Sequence, residues 1–269
     1  MYYITSTDGT KIAVYDYNPQ AKPAIFLIHG WPLSHKIFEY QINLLTDCGY
    51  RVIAVDLRGF GMSDTPACGY TYNQMSADIF QIVRQLRLQK FILAGFSMGG
   101  AIALRYMRRF KGTGVCKLIL LSAAAPSFAR RFDFPYGKPV HEVNALINLA
   151  ETDRPQLCQN FSEQLFACPH SEAVIDWFRD IALSASGIGT IKSCIALRDE
   201  DVQKDFSHVH VPTYIIHGDK DLIVSKELAK IQHQNISGSK LITLTDSGHG
   251  IIYDQLEKFN SIFMNSIRD

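Results

Sequence analysis

Phe91-Ile92-Leu93-Ala94-Gly95-Phe96-Ser97-Met98-Gly99-Gly100 carries the pattern G-x-S-x-G, and its flanks decide how it reads. Four apolar residues with strand character precede it, and the helix-forming stretch Ala101-Ile102-Ala103-Leu104-Arg105-Tyr106-Met107 follows. A serine between a buried strand and a helix lies in a turn tight enough to strain its backbone, with the hydroxyl pushed out over the end of the sheet. Gly95 and Gly99 suit that turn because a side chain two residues either side of Ser97 would clash in it. The bare pattern is short, and an ordinary glycine-rich turn with an incidental serine produces it too. The surrounding chain separates the two.

Strand-like apolar runs and amphipathic helical patterns alternate on both sides of this stretch. Thr5 to Lys11 reads as the turn of an opening hairpin, with Asp8-Gly9 at its centre. Ala24–Ile28 and Arg51–Val55 are continuous apolar runs, and Phe38, Ile42 and Leu45 share one helix face between them. Met75, Ile79, Ile82, Val83 and Leu86 repeat at helical spacing before Phe91, and Lys117–Leu121 is the next buried strand. The rhythm stops at Pro126. From there to about Asp205 only three helical patterns are visible, around Val143 to Ala150, Leu157 to Leu165 and Val174 to Ile181. It resumes with Val211–Ile216, a helix around Ser225–Ala229, Lys240–Leu244, and a last helix carrying Ile252, Leu256, Phe259 and Phe263. Continuous apolar strands separated by helices imply an α/β fold with a mostly parallel sheet covered on both faces. The expected organisation is a core of residues 1–125 and 206–269 with a helical lid, 126–205, inserted into it.

Composition narrows the function classes. The 269 residues are 47% hydrophobic and 20% charged, as suits a globular chain with a sizeable core. Lys and Arg number 27 against 26 Asp and Glu, so the net charge of +1 offers no field to recruit nucleic acid or an anionic membrane. The N-terminal Met1-Tyr2-Tyr3-Ile4-Thr5-Ser6 has neither the basic start nor the apolar stretch of a signal peptide. The six scattered cysteines read as reduced thiols, and a cytoplasmic location is expected. His208-Val209-His210 has ligand-like alternation but no third ligand near it in sequence, so no metal is expected.

A serine hydroxyl is a weak nucleophile unless a base takes its proton and a third group orients that base. Two later loops, each just past a predicted strand, offer partners. Gly218-Asp219-Lys220-Asp221 supplies carboxylates and Asp246-Ser247-Gly248-His249-Gly250 supplies a histidine between glycines. The order Ser97, Asp219, His249 is that of a serine, acid and histidine mounted on a parallel sheet. Asp219 is the favoured acid because it directly follows the strand; Asp221 reads as the start of the next helix and Asp246 as a turn residue. His217, at the strand end, reads as a satisfied core histidine. Developing negative charge on an acyl oxygen also needs donors. The backbone N–H of Met98 is one, and that of Trp31, after Gly30 in His29-Gly30-Trp31-Pro32-Leu33, is the other. Pro32 biases Trp31 toward extended angles. Phe128 and Trp177, with other lid aromatics, are candidates for an apolar pocket beside Gly30, while Arg130 and Arg131 are expected to face water.

Taken together, His29-Gly30-Trp31-Pro32-Leu33-Ser34, Val55-Asp56-Leu57-Arg58-Gly59-Phe60-Gly61-Met62-Ser63-Asp64, Gly95–Gly100 and Gly218–Asp221 resemble the α/β-hydrolase superfamily, and within it the cofactor-free haloperoxidase and aryl-esterase group. The resemblance spans about residues 1–125 and 210–269 and is weak across the lid. It implies the α/β-hydrolase fold, a Ser97–Asp219–His249 triad and an oxyanion hole from Trp31 and Met98. It also implies structural roles for Asp56, Arg58, Ser63 and Asp64, which hold a loop beside the site. The implied activity is hydrolysis of small, mostly apolar esters or lactones through an acyl-enzyme, without cofactor. Peroxide replaces water as acceptor in a perhydrolase side reaction. Epoxide hydrolases and haloalkane dehalogenases of this fold carry aspartate at the position of Ser97. The alternative class is a ligand-binding signalling protein that keeps the triad and turns over slowly; a lyase on the same triad is a further one.

Overall fold

The structure is a computed structural model describing residues 1–269. Eight strands form one sheet: β1 (Tyr2–Thr5), β2 (Lys11–Tyr17), β3 (Ala24–Ile28), β4 (Arg51–Val55), β5 (Phe91–Phe96), β6 (Val115–Leu121), β7 (Thr213–Gly218) and β8 (Lys240–Leu244). Their order is β1-β2-β4-β3-β5-β6-β7-β8. β1 and β2 pair antiparallel with each other, and β2 pairs antiparallel with β4. The remaining neighbours are all parallel. Every residue of β3, β5 and β7 is buried. That explains their uninterrupted apolar sequences, since strands covered on both faces show no alternation.

The topology fixes where a ligand can sit. From β3 the chain moves outward to β4, then crosses back over β3 to form β5 on its other side. The direction in which successive strands are added to the sheet reverses between β3 and β5, and a crevice opens at their carboxyl ends. The loop after β3 carries Gly30 and Trp31, and the turn after β5 carries Ser97. Both segments flagged by the sequence therefore meet at this crevice. The helices α1 (Glu39–Asp47), α2 (Tyr72–Gln85) and α3 (Met98–Arg109) follow β3, β4 and β5.

Between β6 and β7 lie four helices, α4 (Val140–Thr152), α5 (Arg154–Gln164), α6 (Glu172–Leu183) and α7 (Gly187–Asp199), which form a helical cap. The first three occupy the patterns visible in the sequence. α7 does not, because it lacks an apolar stripe: Gly189, Thr190, Ser193 and Cys194 are buried while Ile188 is exposed. Small and polar residues face inward because α7 packs directly against core backbone. A Cβ on Gly189 would stand 2.5 Å from the Gly59 carbonyl oxygen. Ser186 donates to that same oxygen from both its backbone N–H and its hydroxyl, each at 2.9 Å. Two isolated bridges, Ala129 with Lys138 and Arg131 with Phe134, add β-contacts where the sequence suggests helices alone.

After β7 come α8 (Lys226–Asn235), α9 (Ile251–Asp254) and α10 (Leu256–Arg268). The single last helix read from the sequence is thus broken at Gln255, whose side chain turns back to donate to the Asp246 carbonyl at 2.9 Å. No single helix is long and apolar enough to cross a membrane.

Candidate active site

Ser97 sits between the last residue of β5 and the first of α3 with φ of +53°, a left-handed backbone angle rare for a residue with a side chain. Its N–H donates to the Leu121 carbonyl at 2.8 Å and its carbonyl accepts from Ala124, so neighbouring β6 holds the strained turn in place. The two flanking glycines are sterically required. A Cβ on Gly95 would lie 2.4 Å from the Gly99 oxygen, and one on Gly99 would lie 2.4 Å from the Ile28 oxygen.

The hydroxyl held there meets a histidine. His249, fully buried in the loop after β8, places Nε2 3.0 Å from Ser97 Oγ. Its Nδ1 lies 2.7 Å from Asp221 Oδ2. Since the carboxylate can only accept, His249 carries its proton on Nδ1 and presents a lone pair at Nε2 to the serine. The carboxylate that reaches His249 is therefore Asp221, which corrects the expectation of Asp219. β7 ends at Gly218, and the chain needs two further residues to double back toward His249. Asp219 falls on the outer side of that turn, where its Oδ1 accepts the Asp246 N–H at 2.8 Å. The Asp221 side chain has 0% exposure and its Oδ1 accepts from the Ile223 and Val224 amides at 2.9 and 2.8 Å. One carboxylate thus closes the turn and holds the histidine. Burial alone would raise its pKa, but His249 and His217 outweigh that and hold it well below the usual carboxylate range.

The histidine loop is clamped from two directions. The cap segment after α5 passes so close that a Cβ on Gly248 would meet the Leu165 carbonyl oxygen at 2.6 Å, and Gly250 donates to that oxygen at 2.7 Å. Asp254, at the end of α9, accepts from Gly248 at 2.5 Å and from the cap amides of Ala167 and Cys168 at 2.8 and 2.9 Å. Sequence reading passes over Asp254; its only signal is an acid just beyond an aimed histidine loop.

On the other side of Ser97, a Cβ on Gly30 would lie 2.7 Å from the serine Cβ, so the loop after β3 can approach only as glycine. The Trp31 N–H donates to no backbone carbonyl, and the Met98 N–H, first in α3, has no partner within its helix. The peptide between Trp31 and Pro32 is cis. The Trp31 indole Nε1 donates to the Thr190 carbonyl of α7 at 2.8 Å, and its ring stands edge-on to Phe161 of α5.

Below this loop, His29 is fully buried, accepting from the Leu57 amide at Nε2 (2.9 Å) and donating from Nδ1 to the Gly30 carbonyl (2.8 Å). Burial lowers its pKa to about 4. Unfolding releases it to its ordinary value near 6.5, so the unfolded chain binds the extra proton and stability falls as pH drops from 6.5 toward 4. The expected loss attributable to His29 is about 3 kcal/mol across that window. Urea midpoints of wild type and His29→Gln between pH 7 and 4.5 measure it; parallel midpoint curves would refute it.

Asp56, Arg58 and Ser63 are buried and Asp64 is exposed, and all four bond to neighbouring core elements. Asp56 accepts from His35 and from the Met62 amide, and Arg58 forms two bonds with Asp78, both at 2.7 Å. Ser63 accepts the Ala13 N–H and Asp64 the Lys11 N–H, both at 2.8 Å. Each lies in the network joining the loop after β4 to β2 and α2.

Ser97 opens into a cavity of about 210 Å³ between sheet and cap, walled by Phe128, Leu146, Leu149, Leu157, Phe161 and Leu197. Phe128 lines it. Trp177 does not, correcting the expectation: it packs outside the cavity, edge-on to Tyr40 and Phe178. The aromatic spacing of α6 cannot distinguish a pocket wall from a seam between helices. Lys138 and Glu142, 3.6 Å apart, also line the cavity, which is less uniformly apolar than the sequence suggests. Arg130 borders an adjoining groove, while Arg131 donates to the Ser127 hydroxyl at 3.0 Å.

The chain is similar to known proteins along nearly its whole length. The family described as alpha/beta hydrolase fold matches residues 23–256. An AB hydrolase superfamily protein of Bacillus subtilis, YisY, is 46% identical over 98% of this chain and 99% of its own. An esterase from Exiguobacterium antarcticum superposes with a TM-score of 0.97 at 44% identity, covering 100% of this chain and 99% of its own. A bromoperoxidase from Bacillus anthracis superposes at 0.94 and 32% identity, covering 99% of both chains.

Proposed function

The chain belongs to the α/β-hydrolase fold family, and from that premise we propose that it is a serine hydrolase of small, mostly apolar carboxylic esters or lactones. The observation that carries this reading is the continuous line Ser97 Oγ, His249 Nε2, His249 Nδ1, Asp221 Oδ2, with links of 3.0 and 2.7 Å. The similarity to proteins named esterase and bromoperoxidase supports it.

In this mechanism, Ser97 Oγ attacks the acyl carbon as its proton passes to His249 Nε2. Asp221 stabilises the imidazolium that results. The carbonyl oxygen becomes an oxyanion facing the free N–H groups of Trp31 and Met98, whose orientation is fixed before the substrate arrives. His249 returns the proton to the leaving alkoxide, leaving an acyl-enzyme. Water, deprotonated by the same imidazole, then releases the acid and restores Ser97. Hydrogen peroxide in place of water releases a peracid by the same steps, which accounts for a halide-oxidising side activity without metal or haem. The cavity dimensions favour short acyl chains.

Steady-state hydrolysis of p-nitrophenyl acetate and butyrate tests the reading, together with intact-mass detection of an acylated protein at early times. Sustained turnover and a mass increase mapping to Ser97 are expected. Absence of turnover on any short ester, or acylation at another residue, would overturn it.

A further inference from the structure

Asp221 is shared by two histidines. Besides His249, it faces His217, the penultimate residue of β7, whose Nε2 lies 3.3 Å from Asp221 Oδ2 and 3.0 Å from the Val224 carbonyl oxygen. Both neighbours of that nitrogen are acceptors, so Nε2 must carry the proton. The other nitrogen, Nδ1, is buried without any partner. A buried nitrogen with no acceptor cannot carry an N–H without a desolvation cost, so the ring proton sits on Nε2. That differs from the satisfied core histidine read from the sequence. An orphaned buried atom beside a catalytic array calls for an explanation.

Resting on the proposed triad, the geometry points to His217 as a positioning residue whose Nε2–H, bonded to the Val224 carbonyl, stands 3.3 Å from Asp221 Oδ2 and so limits how tightly the His249–Asp221 pair holds a proton. The positive end of that N–H dipole beside the oxygen offsets part of its negative charge and weakens its attraction for the imidazolium. Three hydrogen bonds hold the carboxylate, from the Ile223 and Val224 amides on one oxygen and His249 on the other, and His217 Nε2 faces that second oxygen from 3.3 Å. Other ionisable groups lie near the pair without bonding to it. Asp254 from α9 binds the Gly248 amide and His170 of the cap, Asp219 binds the Asp246 amide, and Lys220 pairs with Asp246 at the surface. Lys138 and Glu142 of the cap line the cavity that Ser97 faces. His217 alone is placed to tune the pair through a shared atom.

His217→Phe removes the donor while keeping an aromatic ring. Expected results are a fall in kcat of roughly tenfold at neutral pH with KM unchanged, and an acid limb of the kcat/KM profile moved to higher pH. His217→Gln, whose amide N–H reaches about as far, is expected to restore both. A profile for His217→Phe superimposable on wild type, or a Gln variant as impaired as the Phe variant, would overturn the proposal. The tautomer is read independently on wild type by nitrogen-15 NMR of labelled histidine. A proton on Nε2 with a bare Nδ1 from pH 6 to 8 supports the assignment, and a proton on Nδ1 overturns it even if no variant folds. This measurement does not depend on turnover, so it stands or falls separately from the esterase reading.

Discussion

Asp221→Asn lowers kcat about 10⁴-fold, whereas Asp219→Asn stays within a few-fold of wild type. The contrast follows from what each carboxylate holds. An amide at position 221 can offer its NH₂ to His249 Nδ1, which then becomes the acceptor and moves the ring proton to Nε2. A protonated Nε2 cannot take the serine proton, so attack loses its base although every atom stays near its place. At position 219 an amide still supplies an oxygen to the Asp246 N–H, and nothing at Ser97 changes. Side-by-side kcat values for the two variants on p-nitrophenyl butyrate decide between the acids. Equal losses, or a greater loss in Asp219→Asn, would reject the assignment.

Ser97→Ala removes the nucleophile itself, and a loss of about 10⁶-fold in kcat is expected. What survives reflects binding and the oxyanion donors acting on a water molecule. The backbone angle of Ser97 adds a second expectation for the same site. At φ of +53° alanine keeps the strain of serine, while glycine relieves it. Ser97→Gly is therefore expected to unfold at a higher urea concentration than Ser97→Ala, with both inactive. Retention of more than about a thousandth of wild-type turnover in either variant would assign the chemistry elsewhere.

The strands were legible because sheet burial on both faces writes itself as apolar runs, as in Ala24–Ile28 and Arg51–Val55, whose bounds match β3 and β4. Ser97 and His249 were legible because strained or crowded turns demand glycine neighbours, and those are visible in one dimension. The acid was not. Asp219 and Asp221 are chemically identical, and the choice between them depends on how many residues the chain uses to reverse after β7. α7 escaped notice for a related reason: packing against the Gly59 backbone selects glycine, threonine and serine for its buried face, where the usual helix signal requires leucine or isoleucine. Trp177 was misplaced because an aromatic residue on a cap helix can face the cavity or a neighbouring helix at the same spacing.

Trp31 touches both halves of the molecule: its backbone N–H faces the crevice, while its indole is hydrogen-bonded to Thr190 and packed on Phe161 in the cap. On the mechanism proposed above, one residue reports the position of the cap to the group that receives negative charge. Substrate choice and rate are then not independent dials. Reshaping α5 or α7 to admit a bulkier acyl group also shifts the donor that stabilises its reaction, so selectivity gained there comes with altered turnover. Changes along α4, at Leu146 or Leu149, reach the same cavity without passing through Trp31 and leave the two properties free to vary separately.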